Sequence, residues 1–131
     1  MTRRLLPIVG MFLVSVVLTT GAIAAESDAA DADLVISAEA TAVLALDADA
    51  AAGKKRYRRE CRACHGPTGK GVSSYPKLLE RPPEYLVDRL TRYRAGEKFG
   101  PNTPLMAPRA KKLSDQNIAD LVAFILTLGN S

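Results

Sequence analysis

Two cysteines and a histidine stand together in the middle of the chain, in the order Cys61-Arg62-Ala63-Cys64-His65. They are the only cysteines and the only histidine among 131 residues. Two thiols at this spacing can form thioethers with the vinyl groups on one side of a porphyrin, and the adjacent imidazole can then bind the iron. The pattern C-x-x-C-H therefore predicts covalent attachment of one c-type haem, with His65 as an axial ligand.

Three other roles of this cluster fit less well. A structural zinc site uses four cysteine or histidine ligands, and the cluster offers three. A redox-active C-x-x-C occurs in a βαβ context, and no strand pattern precedes Cys61. A disulfide between Cys61 and Cys64 would be strained and would close almost no loop. Haem attachment is thus the chemistry that these residues favour.

A haem held on one face by His65 needs a second axial ligand, and Met106 is the candidate. If the leader described below is removed, Met106 is the only methionine left in the chain. Pro104 and Pro108 flank it, and prolines lower the entropy that a loop loses when it holds a weak thioether ligand. We therefore predict a loop over residues 96–112 that presents Met106 to the iron.

The proximal imidazole must also be held in one orientation. A backbone carbonyl is a common acceptor for the second ring N–H of a ligating histidine. We assign this role to the Pro76 carbonyl, in Tyr75-Pro76-Lys77-Leu78. The intervening residues 66–71 are rich in glycine but lack the spacing of a phosphate-binding loop. Their glycines instead predict a tight turn at the porphyrin edge.

Three segments with helical patterns must position these residues. Residues 51–60 lead directly into the haem motif, residues 82–96 begin with prolines and end with glycine, and residues 114–129 carry an apolar stripe. A glycine inside a helix usually has a packing reason. Gly53 therefore predicts the close approach of another helix, with Phe124 as a candidate neighbour.

The first 24 residues have the features of an export signal. Arg3 and Arg4 give a positive start, residues 5–25 carry no charge, and Ala22-Ile23-Ala24 offers small residues for cleavage. We expect a cleaved signal peptide over residues 1–24, the general secretory route and a periplasmic protein. The uncharged run is also long enough to span a bilayer, so an uncleaved anchor facing the periplasm is the alternative.

Residues 25–50 form an acidic, alanine-rich stretch with seven acidic residues and no basic one. This composition predicts a solvated linker, with a helix near residues 38–46 that Ser37 can cap. Its apolar residues are too few to build a core of their own. The alternative is that the stretch folds back electrostatically onto the basic domain, or holds that domain away from a membrane.

Residues 51–131 are strongly basic, with sixteen Lys or Arg against seven Asp or Glu. A basic surface can steer association with an acidic redox partner or with anionic lipid. An exported chain is not expected to bind nucleic acid. The candidate docking cations are Lys70, Lys77, Arg92, Lys98, Arg109, Lys111 and Lys112.

Taken in order, these motifs resemble those of the small bacterial class I c-type cytochromes. The resemblance covers residues 51–131 and rests on Gly53-x-x-x-Tyr57-x-x-x-Cys61-x-x-Cys64-His65-Gly66, Gly69-Lys70-Gly71, Tyr75-Pro76-Lys77-Leu78, Met106-Ala107-Pro108, Leu113-Ser114-Asp115 and Ile118-Ala119-Asp120-Leu121. It implies an all-α cytochrome c fold of three main helices around one covalently bound haem, with His65 and Met106 on opposite faces. Two departures are the acidic stretch before residue 51 and the stiff Arg81-Pro82-Pro83 turn.

The function that this resemblance implies is one-electron transfer by a monomeric, monohaem carrier that is not an enzyme. The expected partners are redox proteins, a reductase or dehydrogenase as donor and an oxidase or other acceptor. One alternative is a haem-bearing subunit or tethered domain of a respiratory or sulfur-oxidising complex. Another is a haem enzyme or gas sensor, which would require that Met106 leaves the iron open.

Overall fold

The computed structural model describes residues 36–129, which fold into helices joined by turns. The predicted signal peptide or anchor over residues 1–24, and the first part of the predicted linker, lie outside the described residues. Within residues 36–129, no helix is both long enough and apolar enough to cross a membrane.

The described residues contain six helices, and the three longest are those that the sequence predicts. Three of them, α2 (Ala50–Glu60), α4 (Pro83–Ala95) and α6 (Asp115–Leu128), have caps that explain where they begin or end. The Asp49 side chain accepts hydrogen bonds from Ala51 and Ala52 N–H at the start of α2, and Gly96 ends α4 in the left-handed conformation. At the start of α6, Ser114 forms a capping box with Asn117. The all-α prediction is therefore confirmed. The helices are α1 (Ala38–Leu44), α2 (Ala50–Glu60), α3 (Arg62–His65), α4 (Pro83–Ala95), α5 (Thr103–Ala110) and α6 (Asp115–Leu128).

Helices α2 and α6 pack against each other at Gly53. A side chain at this position would overlap the Asp120 carbonyl group and would meet the Phe124 Cβ atom at 3.0 Å. One turn later the rings of Tyr57 and Phe124 pack with their centroids 5.3 Å apart. The predicted reason for a helical glycine is thus present, since only glycine lets the two backbones come this close.

The apolar core lies mainly between α4 and α6, with contributions from α1 and α2. Its apolar side chains recur along α6 at helical spacing, as the sequence pattern predicts. The buried core residues of these four helices include Ala40, Val43, Tyr57, Leu86, Val87, Ile118, Leu121, Val122, Phe124 and Ile125.

Helix α1 corrects the prediction of a solvated linker. Ser37 caps α1 as expected, through a bond from Ala40 N–H to the Ser37 hydroxyl. Ala40 and Val43, however, are fully buried and belong to the main core. Two such residues cannot form a core alone, but they can add to an existing one, so α1 packs on α4 and α6. Residues 36–50 therefore do not form a solvated spacer in the structure, since α1 packs on the helices of the basic domain.

Polar contacts add to this packing. The Arg94 guanidinium of α4 lies 2.5 Å from a Glu39 carboxylate oxygen of α1 and 2.6 Å from an Asp115 carboxylate oxygen of α6. The Gln116 amide also donates to the Asp47 carbonyl, between α1 and α2. Acidic residues of the stretch therefore contact the basic domain, as the fold-back alternative requires.

Helix α5 corrects the prediction of a loop over residues 96–112. Pro104 lies in the first turn of α5, where backbone N–H groups make no hydrogen bond within the helix, so the absence of one costs nothing. Of the two prolines of α5, only Pro108 lies in the interior of the helix. The helix is also fixed at its ends, because the Thr103 hydroxyl accepts from Phe99 N–H and Ala110 is fully buried. These tertiary contacts outweigh the low helix propensity of proline.

Tyr57 connects α2 to the turn that follows α3. Its side chain is buried, and its hydroxyl donates to the Gly66 carbonyl at 2.7 Å. Burial raises the pKa of Tyr57 from 10.0 to about 12. The phenol therefore stays protonated in the folded protein at pH values where it ionises in an unfolded chain.

We expect Val43→Ala to lower the free energy of unfolding by about 2 kcal/mol, because it removes two methyl groups from the core. The matched control is Thr41→Ala in the same helix, which truncates a side chain of similar shape that is exposed. Its effect should stay within about 0.5 kcal/mol. Urea unfolding of the purified protein measures both, and equal stabilities would show that α1 is not part of the core.

Tyr57→Phe should remove part of the alkaline pH dependence of stability. Because the pKa of Tyr57 is higher in the folded state, the unfolded state loses its proton first, and the wild-type protein loses stability as pH rises from 10 towards about 12. Tyr57→Phe should be less stable at neutral pH by about 1 kcal/mol, and this difference should shrink above pH 10. Urea unfolding at pH 8 to 11.5 measures it, and parallel curves would contradict the assignment.

Candidate functional site

The residues of the C-x-x-C-H motif lie on one helical turn at the end of α2. Cys61 N–H still bonds to the Tyr57 carbonyl, and His65 N–H bonds to the Cys61 carbonyl at 2.9 Å, so the chain continues through α3. Cys61 and Cys64 are half-buried and free, and His65 is buried. Because α2 is fixed on α6, the motif has a defined position.

The His65 ring is oriented by the carbonyl group that the sequence indicates. Its Nδ1 atom lies 2.9 Å from the Pro76 carbonyl oxygen. A carbonyl oxygen only accepts, so Nδ1 carries the hydrogen and donates. This tautomer leaves a lone pair on Nε2, which makes no hydrogen bond with any residue that the structure describes. A neutral imidazole with a free nitrogen is the form that binds a metal.

The turn after α3 brings Pro76 back to His65. Gly71 N–H donates to the His65 carbonyl, and Gly71 has a positive φ of 78°. A side chain at Gly71 would overlap the Tyr75 carbonyl group. Glycine is therefore required here for two reasons, backbone conformation and close approach. The predicted tight turn is present, and it positions the carbonyl that holds the imidazole.

Met106 lies in the middle of α5 and is half-buried. Among the described residues, no hydrogen bond joins Met106 to the other four predicted site residues. Its helix is nevertheless linked to the motif through Arg109, one turn further along α5. The Arg109 guanidinium contacts the Glu60 carbonyl at 3.5 Å and the Glu60 carboxylate at 3.8 Å, next to Cys61. The structure thus brings Cys61, Cys64, His65 and Pro76 together and joins the helix of Met106 to them.

Arg109 is a residue whose structural role the sequence analysis missed. Its charge marked it only as one docking cation among several. The sequence offers one signal for this ion pair: the acid Glu60 immediately precedes Cys61, and the base Arg109 follows Met106 by about one helical turn. Without knowledge that residues 103–110 are helical, that spacing carries no information.

The thiol chemistry of Cys61 argues against a redox-active C-x-x-C. Burial, together with the neighbouring Glu60 carboxylate, raises the pKa of Cys61 to about 11. Thiols that exchange disulfides have a lowered pKa instead, because the thiolate is the nucleophile. Before a porphyrin is attached, Cys61 is therefore a protonated thiol at neutral pH.

The surroundings of the motif fit a porphyrin. Val72 N–H bonds to the Cys64 carbonyl, and its side chain is 46% exposed. Leu105, next to Met106, is 54% exposed. An exposed valine next to the motif leaves apolar surface that an apolar macrocycle can cover. The donor set of imidazole and thioether is also one that haem iron accepts.

Comparison with known proteins gives a consistent result. A family model described as Cytochrome c matches residues 50–129, more than half of the chain. The chain is 43% identical over 77 residues to cytochrome c-554(548) of Halomonas halodenitrificans, covering 58% of this chain and 92% of that protein. It is 36% identical over 88 residues to cytochrome c-554(547) of Halothiobacillus neapolitanus, covering 61% of this chain and 97% of that protein.

A third relative is larger. The chain is 34% identical over 71 residues to a protein of Stutzerimonas stutzeri named thiosulfate dehydrogenase electron acceptor, covering 53% of this chain and 33% of that protein. The family match begins with α2, ends after α6 and includes all five predicted site residues. The protein is accordingly an electron-transfer protein with covalently bound haem c rather than an enzyme. This chain belongs to the cytochrome c family, as a small class I c-type cytochrome.

Proposed function

We propose that the protein carries single electrons between periplasmic or membrane-bound redox partners, through a haem whose iron is ligated by His65 and Met106. Cys61 and Cys64 hold the porphyrin through thioethers in this proposal. The observation that supports it most directly is the bond from His65 Nδ1 to the Pro76 carbonyl, which leaves Nε2 for the iron.

The haem supplies one electron that can be added and removed reversibly. The chain contributes fixed geometry to this exchange. Pro76 prevents rotation of the imidazole, Gly71 makes that contact sterically feasible, and Tyr57 ties the following turn to α2. A ligand set that moves little between the two oxidation states keeps the reorganisation of the protein small, which favours fast electron exchange.

Met106 is the proposed second ligand. It lies on a short helix whose prolines limit its freedom and which Arg109 ties to Glu60 beside the motif. A neutral thioether stabilises the reduced iron and raises the reduction potential relative to a second histidine. With both axial positions taken by the chain, no position is left for a substrate, which agrees with a carrier and disagrees with a haem enzyme or gas sensor.

The location and the assembly are also part of the proposal. The export signal over residues 1–24 supports the periplasm, either as a free monomer after cleavage or on an uncleaved anchor. The basic domain supports redox proteins with acidic surfaces as partners. These assignments rest on the sequence of the leader and on charge.

A second candidate function is electron transfer within a sulfur-oxidising system. The relative named thiosulfate dehydrogenase electron acceptor supports it, because that name describes a protein that takes electrons from such an enzyme. This chain covers only 33% of that relative, so the likeness concerns one haem domain. In this case the protein serves as a haem-bearing subunit or acceptor of the complex.

Met106→Ala tests the ligand assignment. In the oxidised wild-type protein we expect the near-infrared absorption band of sulfur-to-iron charge transfer, and slow binding of cyanide. Met106→Ala should lose the band and bind cyanide about a hundred-fold faster or more, since the open position no longer requires displacement of a ligand. Absorption spectra and stopped-flow mixing measure both.

Leu105→Ala is the matched control, because it truncates the exposed neighbour on the same helix and should retain the band. A wild-type protein that lacks the band and binds cyanide at once would contradict ligation by Met106. A pigment that acidic organic solvent removes from the chain would contradict covalent attachment.

A further inference from the structure

The outer face of α2 carries a group of cations that no element of the fold uses. We propose that this surface, the α2 cationic face, is the docking site for an acidic region of a redox partner protein. The inference rests on the proposed electron-transfer function and assigns it a binding surface. The α2 cationic face consists of Lys54, Lys55, Arg58, Arg59 and Arg62, all of them exposed.

The orientation of these side chains is fixed by the packing of the helix. At about 100° per residue, the four cations within α2 lie on an arc of about 140°. Gly53 and Tyr57 lie on the opposite side, where they are buried against α6. Helix α2 cannot turn about its axis without losing that contact. The cations are therefore held together on the solvent side.

Their charge is largely uncompensated. Among the described residues, Lys54, Lys55, Arg58 and Arg62 make no ion pair, and Arg59 has only Glu60 at 3.8 Å. Lys54 lies four positions before Arg58, and Lys55 lies four positions before Arg59, so each pair of like charges is adjacent on the helix surface and repels. Arg58 and Arg59 stand in the last turn of α2, where the helix dipole favours a base. Lys54 and Lys55 lie in the first half of the helix and gain nothing from that dipole, so a role outside the folded chain is the simplest account of the group.

Several other cations of the domain differ in this respect, although Lys70, Lys98, Lys111 and Lys112 also make no ion pair among the described residues. Lys77 pairs with Glu80 at 2.7 Å, Arg92 pairs with Glu97 at 2.8 Å, and Arg109 contacts Glu60. Three of the seven docking candidates predicted from the sequence are thus neutralised within the chain. The α2 cationic face, which was not among those candidates, retains more of its field for a partner.

The face also lies next to the redox centre. Arg62 stands between Cys61 and Cys64, the two residues proposed to hold the porphyrin. A partner docked along α2 would therefore lie beside the residues that would hold the porphyrin. Electrons can then pass between the two proteins over a short distance.

The chemistry of the face favours a protein over a membrane as its partner. A helix that binds a lipid surface inserts large apolar side chains between the headgroups. The outward side of α2 has none, because Tyr57 is buried in the core. A flat, cationic and polar surface instead matches the small, salt-sensitive interfaces of transient redox complexes.

The test compares two charge reversals that change the net charge equally. Lys54→Glu with Arg58→Glu alters the α2 cationic face, and Lys111→Glu with Lys112→Glu alters exposed lysines after α5. The probe is a polyglutamate peptide of about twenty residues, titrated into the ¹⁵N-labelled holoprotein at low salt. We expect the peptide to shift amide signals of residues 54–62, with affinity at least ten-fold lower in the α2 variant and within two-fold of wild type in the control.

Electron exchange provides a second readout. Hexacyanoferrate(III) is an anion that takes one electron from the reduced haem and becomes hexacyanoferrate(II). At low salt its rate constant should fall about ten-fold in the α2 variant and less than two-fold in the control, and 0.5 M salt should abolish the difference.

Equal effects of the two variants, or peptide shifts centred on residues 98–112, would overturn the proposal. Vesicles with 30% phosphatidylglycerol form the lipid arm. The wild-type protein could sediment with these vesicles, while the Lys54→Glu with Arg58→Glu variant does not, at a salt concentration where the peptide no longer binds. That result would assign the α2 cationic face to a membrane and would also overturn the proposal. Visible spectra distinguish failure of the docking proposal from failure of the proposed electron-transfer function. A normal haem c spectrum in each variant means that only the docking proposal has failed.

Discussion

The close contact between α2 and α6 is the constraint on which the rest of the structure depends. It requires glycine at position 53, because the Asp120 carbonyl occupies the space that a side chain would need. The Asp120 side chain also accepts from Asp49 N–H at the start of α2. One residue of α6 therefore fixes both the approach and the beginning of α2. Since the haem motif continues directly from the end of this helix, its position follows from the same contact.

This constraint also decides what each side of α2 does. Tyr57 faces inward, packs on Phe124 and reaches the Gly66 carbonyl beyond the motif. The exposed lysines and arginines face outward as a consequence of the same rotation. The eleven residues of α2 thus carry packing residues on one side and charged residues on the other, because the helical period places them on opposite sides.

Much of the fold and of the site could be predicted because the signals were local. Caps and apolar spacing indicate the three long helices, and the motif indicates the haem residues within one turn of chain. The Pro76 carbonyl could be named because a ligating histidine needs an acceptor for its second ring N–H, and a backbone carbonyl is a common one. Helix α5 could not be predicted from proline content, since its stability comes from the buried Ala110 and from the bond between Phe99 and Thr103. The docking of α1 depends on its packing against α4 and α6, which are distant in sequence, and no local pattern encodes it.

Helix α1 lies before residue 50, where the match to the family begins, yet Val43 has no accessible surface. The region that matches the family therefore begins later in the chain than the region that packs into the common core. A protein cut at the homology boundary would uncover Val87 and Val122, which line the cleft beneath α1 together with Leu126. Helix α1 thus covers apolar side chains of α4 and α6, and the packed core of this chain extends beyond the region that matches the family.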